Sequence, residues 1–422
     1  MPDRPTTTNS SRQNLNSPAP SQTTAPLTET LTNPGTGSLA EILPAVFFTF
    51  VCYLTIGLPL AILPTFVHLN LGYGTVIAGL VISAQYIATV ISRPQAGRLT
   101  DQIGPQRTVI IGLTACAFSG FGTLAAAFFI NSPLACLLLL LLGRLMLGVG
   151  ESLVSIGGII WGVGRAGSRN IAKVISWNGV ATYSALAIGA PLGIVLEQHG
   201  GLPALSLVII LSGLAGVALA MRLAPIPVVP PKPLPFAHIF WSVAPHGTAL
   251  ALGGIGFGVI ATFITLFYAR MHWDGAALAL TLYGVCFIGV RLTFSRFINR
   301  FGGFPVALVS LVVEIAGLTL LALAHTRATA FTACALIGFG FSLIFPSLGV
   351  EAVRHIPMEN RGTAIGAYNV FVDFSLFVTG PVAGAIIARR GYPAAFLSAA
   401  VAVALAFILT AFLTYRERLL PA

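Results

Sequence analysis

From about residue 39 onward, apolar stretches alternate with short polar connections, and the alternation recurs about a dozen times. Each apolar stretch holds about 20 residues, enough for a helix rising about 1.5 Å per residue to cross a hydrocarbon core of about 30 Å. The pattern places spans at about 40–66, 75–92, 107–130, 134–159, 174–197, 203–223, 242–268, 276–298, 304–325, 328–350, 362–388 and 392–414. It predicts an all-α membrane protein with twelve transmembrane helices.

Composition agrees with that pattern. Of the 422 residues, 56% are hydrophobic and only 8% charged, and the mean hydropathy is +0.91, so lipid is the solvent most of these side chains require. The net charge of +10 comes from basic residues spread singly, with no run of the kind that binds nucleic acid. With the N-terminus inside, most of them fall on the cytoplasmic side, among them Arg93, Arg98, Arg107, Arg165, Arg169, Lys173, Arg291, Arg296, Arg300, Arg354, Arg361, Arg416 and Arg418. The positive-inside rule then expects both termini in the cytoplasm. Residues 1–38 are rich in Ser, Thr, Asn, Gln and Pro, a composition expected to stay disordered and without the pattern of a cleaved signal peptide. Cys52, Cys116, Cys136, Cys286 and Cys334 lie inside spans with no ligand spacing, so neither disulfides nor a metal site is expected.

The proline-dense segment Pro225–Pro235 cannot remain helical. It divides the chain into a tail (1–38), a six-helix half (39–224), a cytoplasmic linker (225–238) and a second six-helix half (239–422). A repeat supports the division: one constant offset lays Ser92–Gly104 over Val290–Gly302, matching Arg93 to Arg291, Arg98 to Arg296, Asp101 to Asn299 and Gly104 to Gly302. The fifth span of each half carries a second match, Gly189, Pro191 and Gly193 against Gly380, Pro381 and Gly384. Small residues allow close helix approach and proline bends a helix. Two like halves with a site between them near the midplane are the build of a rocking carrier.

At these residues the chain resembles the major facilitator superfamily. GRLTDQIGPQR resembles that family's signature loop after the second helix, with Gly97, Asp101, Gly104 and Arg107 in place and departures at Gln102, Pro105 and Gln106. GRLMLGVGES resembles the fourth-helix motif that sets an arginine, here Arg144, in mid-membrane. GAPLG is a degenerate form of the fifth-helix motif of exporters, and PMENRGTAIGAY resembles the loop entering helix eleven. YLTIGLPLA, VISWNG and WDGAA are similar to the YhhS-type, arabinose-efflux-like permease subgroup. The resemblance implies that Asp101 latches the entry of helix eleven near Arg361 in the outward-open state, through helix N-terminal amides.

A charge at the bilayer centre costs at least about 2.5 kcal/mol, so each intramembrane ionisable group requires a reason. Arg144 cannot be neutralised and is expected to be a cavity cation that binds an anionic group or modulates a carboxylate, the alternative being a structural ion pair. Glu151, two turns along the same helix face, and Asp373, close to mid-membrane, are candidates to take up a proton on one side and release it on the other. Glu314 is expected to be structural, paired with Arg291. Tyr53, Tyr86, Trp161, Trp177, Phe257, Phe263, Phe267, Asn178 and Tyr183 are open between cavity and packing roles.

These features point to a secondary transporter of a small solute in a bacterial-type plasma membrane, monomeric, with protons as coupling ion and efflux by antiport as the expected mode. Symport or uniport uptake is the alternative in the class, and a transport-dead sensor or scaffold the alternative outside it. No catalytic set or cofactor motif marks an enzyme.

Overall fold

The computed structural model describes residues 38–167, 170–226, 236–357 and 360–419. The expected tail and most of the proline-rich linker lie outside these described residues. Eleven helices are long and apolar enough to cross a membrane: α1 (Leu39–Leu60), α2 (Thr75–Ile103), α3 (Pro105–Phe128), α4 (Pro133–Ala166), α5 (Ile171–Arg222), α6 (Phe236–Arg270), α7 (Ala276–Phe294), α8 (Gly303–Ala322), α9 (Arg327–Ala352), α10 (Arg361–Arg390) and α11 (Tyr392–Leu419).

Helix α5 counts twice. Its 52 residues would run to roughly 78 Å if straight, over twice the hydrocarbon thickness. The helix breaks at Gly201, whose φ of 61° is a left-handed conformation open to glycine. The arms fold back on each other: Gly189 on the first packs against Gly57 of α1, and Gly216 on the second reaches Val51 of the same helix. Twelve crossings result. Large apolar side chains such as Phe118, Leu138, Phe374, Val401 and Phe412 cover the outer surface, where lipid meets them. Many hydroxyls within spans bond back to their own helix, as Thr123 does to Ser119 and Thr410 to Ala406, which pairs those donors in a water-free medium.

The repeat recurs in backbone geometry. Gly104 and Gly302 end the matched segments with φ/ψ of 88°/156° and 87°/164°, a conformation that side chains avoid. A methyl at Gly148 would strike the carbonyl of Gln85, and one at Gly338 would strike that of Tyr283. These two contacts correspond in the two halves, since Gln85 falls on Tyr283 at the offset that lays Arg93 on Arg291.

One expectation changes. The second span does not end near residue 92, because α2 continues to Ile103. Gly97 and Asp101 therefore lie on the last turns of a helix, and the turn itself is the single residue Gly104, with Pro105 opening α3. Polar residues end the apolar window but not the helix, which stops only where glycine and proline stop it. In the second copy the helix ends at Phe294, and a short helix, Arg296–Phe301, follows.

The halves α1–α5 and α6–α11 meet along two seams, α2 with α10 and α5 with α7. The contacts gather toward the end where α1 joins α2. There Thr75 donates to the carbonyl of Gly384 (2.7 Å), Ser83 to that of Leu376 (3.0 Å), and Thr65 to Thr265 (3.2 Å). Gly79 meets Gly380 backbone to backbone, and Gly284 meets Ala187. At the other end, Gly97, Gly289 and Gly366 have open space where a side chain would stand. Among the described residues, the polar contacts between the halves gather at one end, which is the closed one, and the other end is open.

Candidate functional site

Where the closed seams stop, a cavity lies between the halves. Its walls include Tyr53, Tyr86, Arg93, Glu151, Asn178, Thr182, Tyr183, Phe257, Arg291, Asn369 and Asp373. Both halves contribute charge. Arg93 on α2 donates through Nε to a carboxylate oxygen of Asp373 on α10. Of the side-chain hydrogen bonds across the α2/α10 seam, this buried ion pair is the innermost, and it ties one half to the other.

Glu151 on α4 accepts three hydrogen bonds from uncharged groups: Tyr53 Oη at 3.0 Å, Gln85 Nε2 at 2.6 Å and Thr89 Oγ1 at 3.1 Å. Every donor comes from its own half, on α1 and α2. The close approach that Gly148 allows between α4 and α2 brings these groups together.

Arg291 on α7 corresponds to Arg93 in the repeat and likewise lines the cavity. It donates through Nη1 to the carbonyl of Ser342 (3.2 Å) and lies 5.7 Å from the centre of the Phe287 ring. Its other terminal nitrogen reaches Gly179 of α5, where a methyl group would stand 2.8 Å from it. Among the described residues it has no ion pair. Beside it stands an aromatic wall: Tyr183 stacks on Phe287 with centroids 3.8 Å apart, and Phe257 stacks on Phe341 at 5.7 Å.

The expected ion pair between Glu314 and Arg291 is not formed. They lie on opposite sides of α9, where Gly340 packs on Glu314 and Ser342 receives Arg291. Both oxygens of Glu314 are buried without a hydrogen-bond partner, and Gly256 of α6 faces them. Arg144 is also displaced from its expected place. It is buried beneath α2, donates to the carbonyl of Ile82 (3.3 Å), leaves Nε and Nη1 without partners, and is not among the cavity walls. It shares a face with Glu151 but forms no ion pair with it.

Asp101 and Arg107 are exposed, and Asp101 makes no hydrogen bond or ion pair among the described residues. The side chain of Arg361 lies outside the description. An unlatched Asp101 accords with the open end. The fifth-span motif supplies close packing: Gly189 and Gly193 meet Gly57 and Leu58 of α1, while Gly380 and Gly384 meet Gly79 and Thr75 of α2. Of the aromatic candidates, Tyr53, Tyr86, Tyr183 and Phe257 line the cavity. Trp161 stacks on Phe48 instead, and Phe263 and Phe267 are core. Sequence reasoning did not place Arg93 and Arg291 in the cavity. Their match across the repeat was the signal that could have found them, because equivalent residues of two halves face one central space.

Two six-helix halves joined along seams, closed at one end around a charged central cavity, have the build of a membrane carrier. The sequence profile of the Major Facilitator Superfamily matches residues 45–380, and the chain belongs to that family of transporters. It is 52% identical over 378 residues to an uncharacterized MFS-type transporter of Burkholderia pseudomallei (strain 1106a), covering 89% of this chain and 93% of that one. To the uncharacterized MFS-type transporter YhhS of Escherichia coli (strain K12) it is 50% identical over 370 residues, covering 88% and 91%. The crystal structure of the human organic anion transporter MFSD10 superposes with a TM-score of 0.68 at 15% identity, covering 88% of this chain and 99% of that one. At that identity the likeness is one of fold.

Proposed function

We propose that this transporter moves a small solute through the central cavity with protons as the coupling ion, in a bacterial inner membrane with both termini cytoplasmic. One observation carries the proposal: the Arg93–Asp373 pair is at once the inner end of the α2/α10 seam and a wall of the cavity. An ion pair between two moving halves is a switch. A proton on Asp373 removes the carboxylate charge, leaves Arg93 free to turn into the cavity, and loosens the seam contact that closes one end. Glu151, held by three neutral donors, is the second group able to exchange a proton, and its donors Gln85 and Thr89 on α2 carry its state to the same helix.

The mode expected from the fifth-helix motif is antiport, solute out against protons in. A specific observation favours symport as a second reading, because Arg291 is a cavity cation with no carboxylate on it. Reconstitution into liposomes with a pH-sensitive dye inside tests both. Solute-evoked proton movement that is lost in Asp373→Asn is the expected result. Its sign separates the modes, since a solute and proton moving together acidify the side the solute enters. Solute equilibrating with no dye response would overturn proton coupling.

A further inference from the structure

The two halves are alike in fold and unlike in charge, and the difference sits in the cavity. The repeat offset matches Arg93 to Arg291. The fifth-span motifs, Gly189 on Gly380, match Thr182 to Asp373. In one seam an arginine of α2 meets an aspartate of α10. In the other, Arg291 of α7 reaches α5 at Gly179, one turn before Thr182, and the place of the acid holds a neutral hydroxyl. The packing match Gly148 on Gly338 carries Glu151 onto Phe341, so the second half also has an aromatic ring where the first has a carboxylate.

From this broken symmetry we infer that Arg291 is the anion-binding group of the solute site, and that the solute is a small organic anion with an apolar or aromatic face. The inference rests on the central cavity being the solute site. Arg291 is almost wholly buried, uses one nitrogen on a backbone carbonyl, and lines the cavity. A guanidinium keeps its charge at every physiological pH, whereas Asp373 and Glu151 can each be neutralised by a proton. Positive charge is therefore the fixed part of the cavity, and it lacks only a counterion at Arg291. A carboxylate or phosphonate there accepts the forked N–H groups in the geometry arginine favours. The stacked rings of Tyr183 and Phe287 beside it, with Phe257 and Phe341 behind, offer an apolar body the surface on which to lie. A proton on Asp373 offsets the charge the anion brings, so solute and proton load together.

Three probes of one shape test the inference on the purified full chain in detergent and in liposomes: benzoate, benzyl alcohol and benzylamine. Benzoate should bind, read as quenching of intrinsic fluorescence and as a rise in melting temperature, and the neutral and cationic probes should bind at least about tenfold more weakly. Arg291→Gln should lose benzoate binding by about tenfold or more, and Arg291→Lys should recover part of it. Thr182→Asp supplies the missing acid. It should abolish benzoate binding without loss of melting temperature, which keeps the test valid if Arg291→Gln fails to fold. Equal binding of all three probes, preference for benzylamine, or full benzoate binding by Thr182→Asp would overturn the inference. Asp373→Asn separates it from proton coupling: benzoate binding that persists while dye response is absent from every form overturns coupling alone.

Discussion

The Arg93–Asp373 pair joins a group that can discharge itself to one that cannot, and this asymmetry has a measurable consequence. Removing one partner of a buried pair costs roughly 3–5 kcal/mol because the other is left uncompensated. Arg93→Gln leaves an aspartate that can take a proton. Asp373→Asn leaves a guanidinium with no such escape. Melting temperatures in detergent should therefore fall least for the double variant, further for Arg93→Gln, and furthest for Asp373→Asn. Equal losses in the two single variants would show that Arg93 finds water or another acceptor when Asp373 is gone. Glu314 is the opposite case, a carboxyl with neither oxygen partnered. Glu314→Met keeps the length of the side chain and removes both oxygens, and should raise stability by about 1–3 kcal/mol with transport unchanged. Loss of solute flux in a stable Glu314→Met protein would assign Glu314 a part in the transport cycle.

Among the elements, the seams are built on glycine, and the two ends of one helix differ in what they tolerate. On α2, a methyl at Gly79 would fall on the backbone of Gly380, while one at Gly97 meets nothing. Gly79→Val should hold the closed end apart, so that a cysteine at Thr75 reacts with a membrane-impermeant maleimide far faster than in the parent chain. Gly97→Ala should leave the melting temperature unchanged, because its surroundings are open in this state, and should slow solute flux if that end closes during the cycle. A maleimide rate at Thr75→Cys that ignores Gly79→Val would mean that α2 and α10 do not part there. Spans were legible in the sequence because hydrophobic length is a one-dimensional signal, and the repeat was legible because arginines and glycines keep their spacing. Helix rotation was not, since it follows from packing at Gly148, Gly338 and Gly79. Arg144 stands deep in an apolar window, whereas Arg93 stands just past the edge of one, where it reads as a cytoplasmic marker, and Arg291, near the end of its span, reads as the partner of Glu314. The helix runs on past Arg93 to Ile103, and so Arg93 stands within a helix, buried against the cavity.

At the scale of the molecule, a carrier that alternates must open the end that is closed here. Thr65, in the connection after α1, and Thr265, on α6, belong to different halves, and their hydroxyl oxygens stand 3.2 Å apart. A pair of cysteines at these positions falls within the reach of a disulfide, whose Cβ atoms lie about 3.5–4.5 Å apart. In a background without the five native cysteines, oxidised Thr65→Cys/Thr265→Cys should form the bond readily and stop solute flux, and reduction should restore it. A sensor or scaffold that never opens this end would be indifferent to the bond, and unchanged flux on full cross-linking would place the pathway elsewhere. The same pair reports orientation. With both termini cytoplasmic, the connection between α1 and α2 faces outward, so a membrane-impermeant phosphine added outside intact cells should release the block. Release only after the cells are permeabilised would invert the topology.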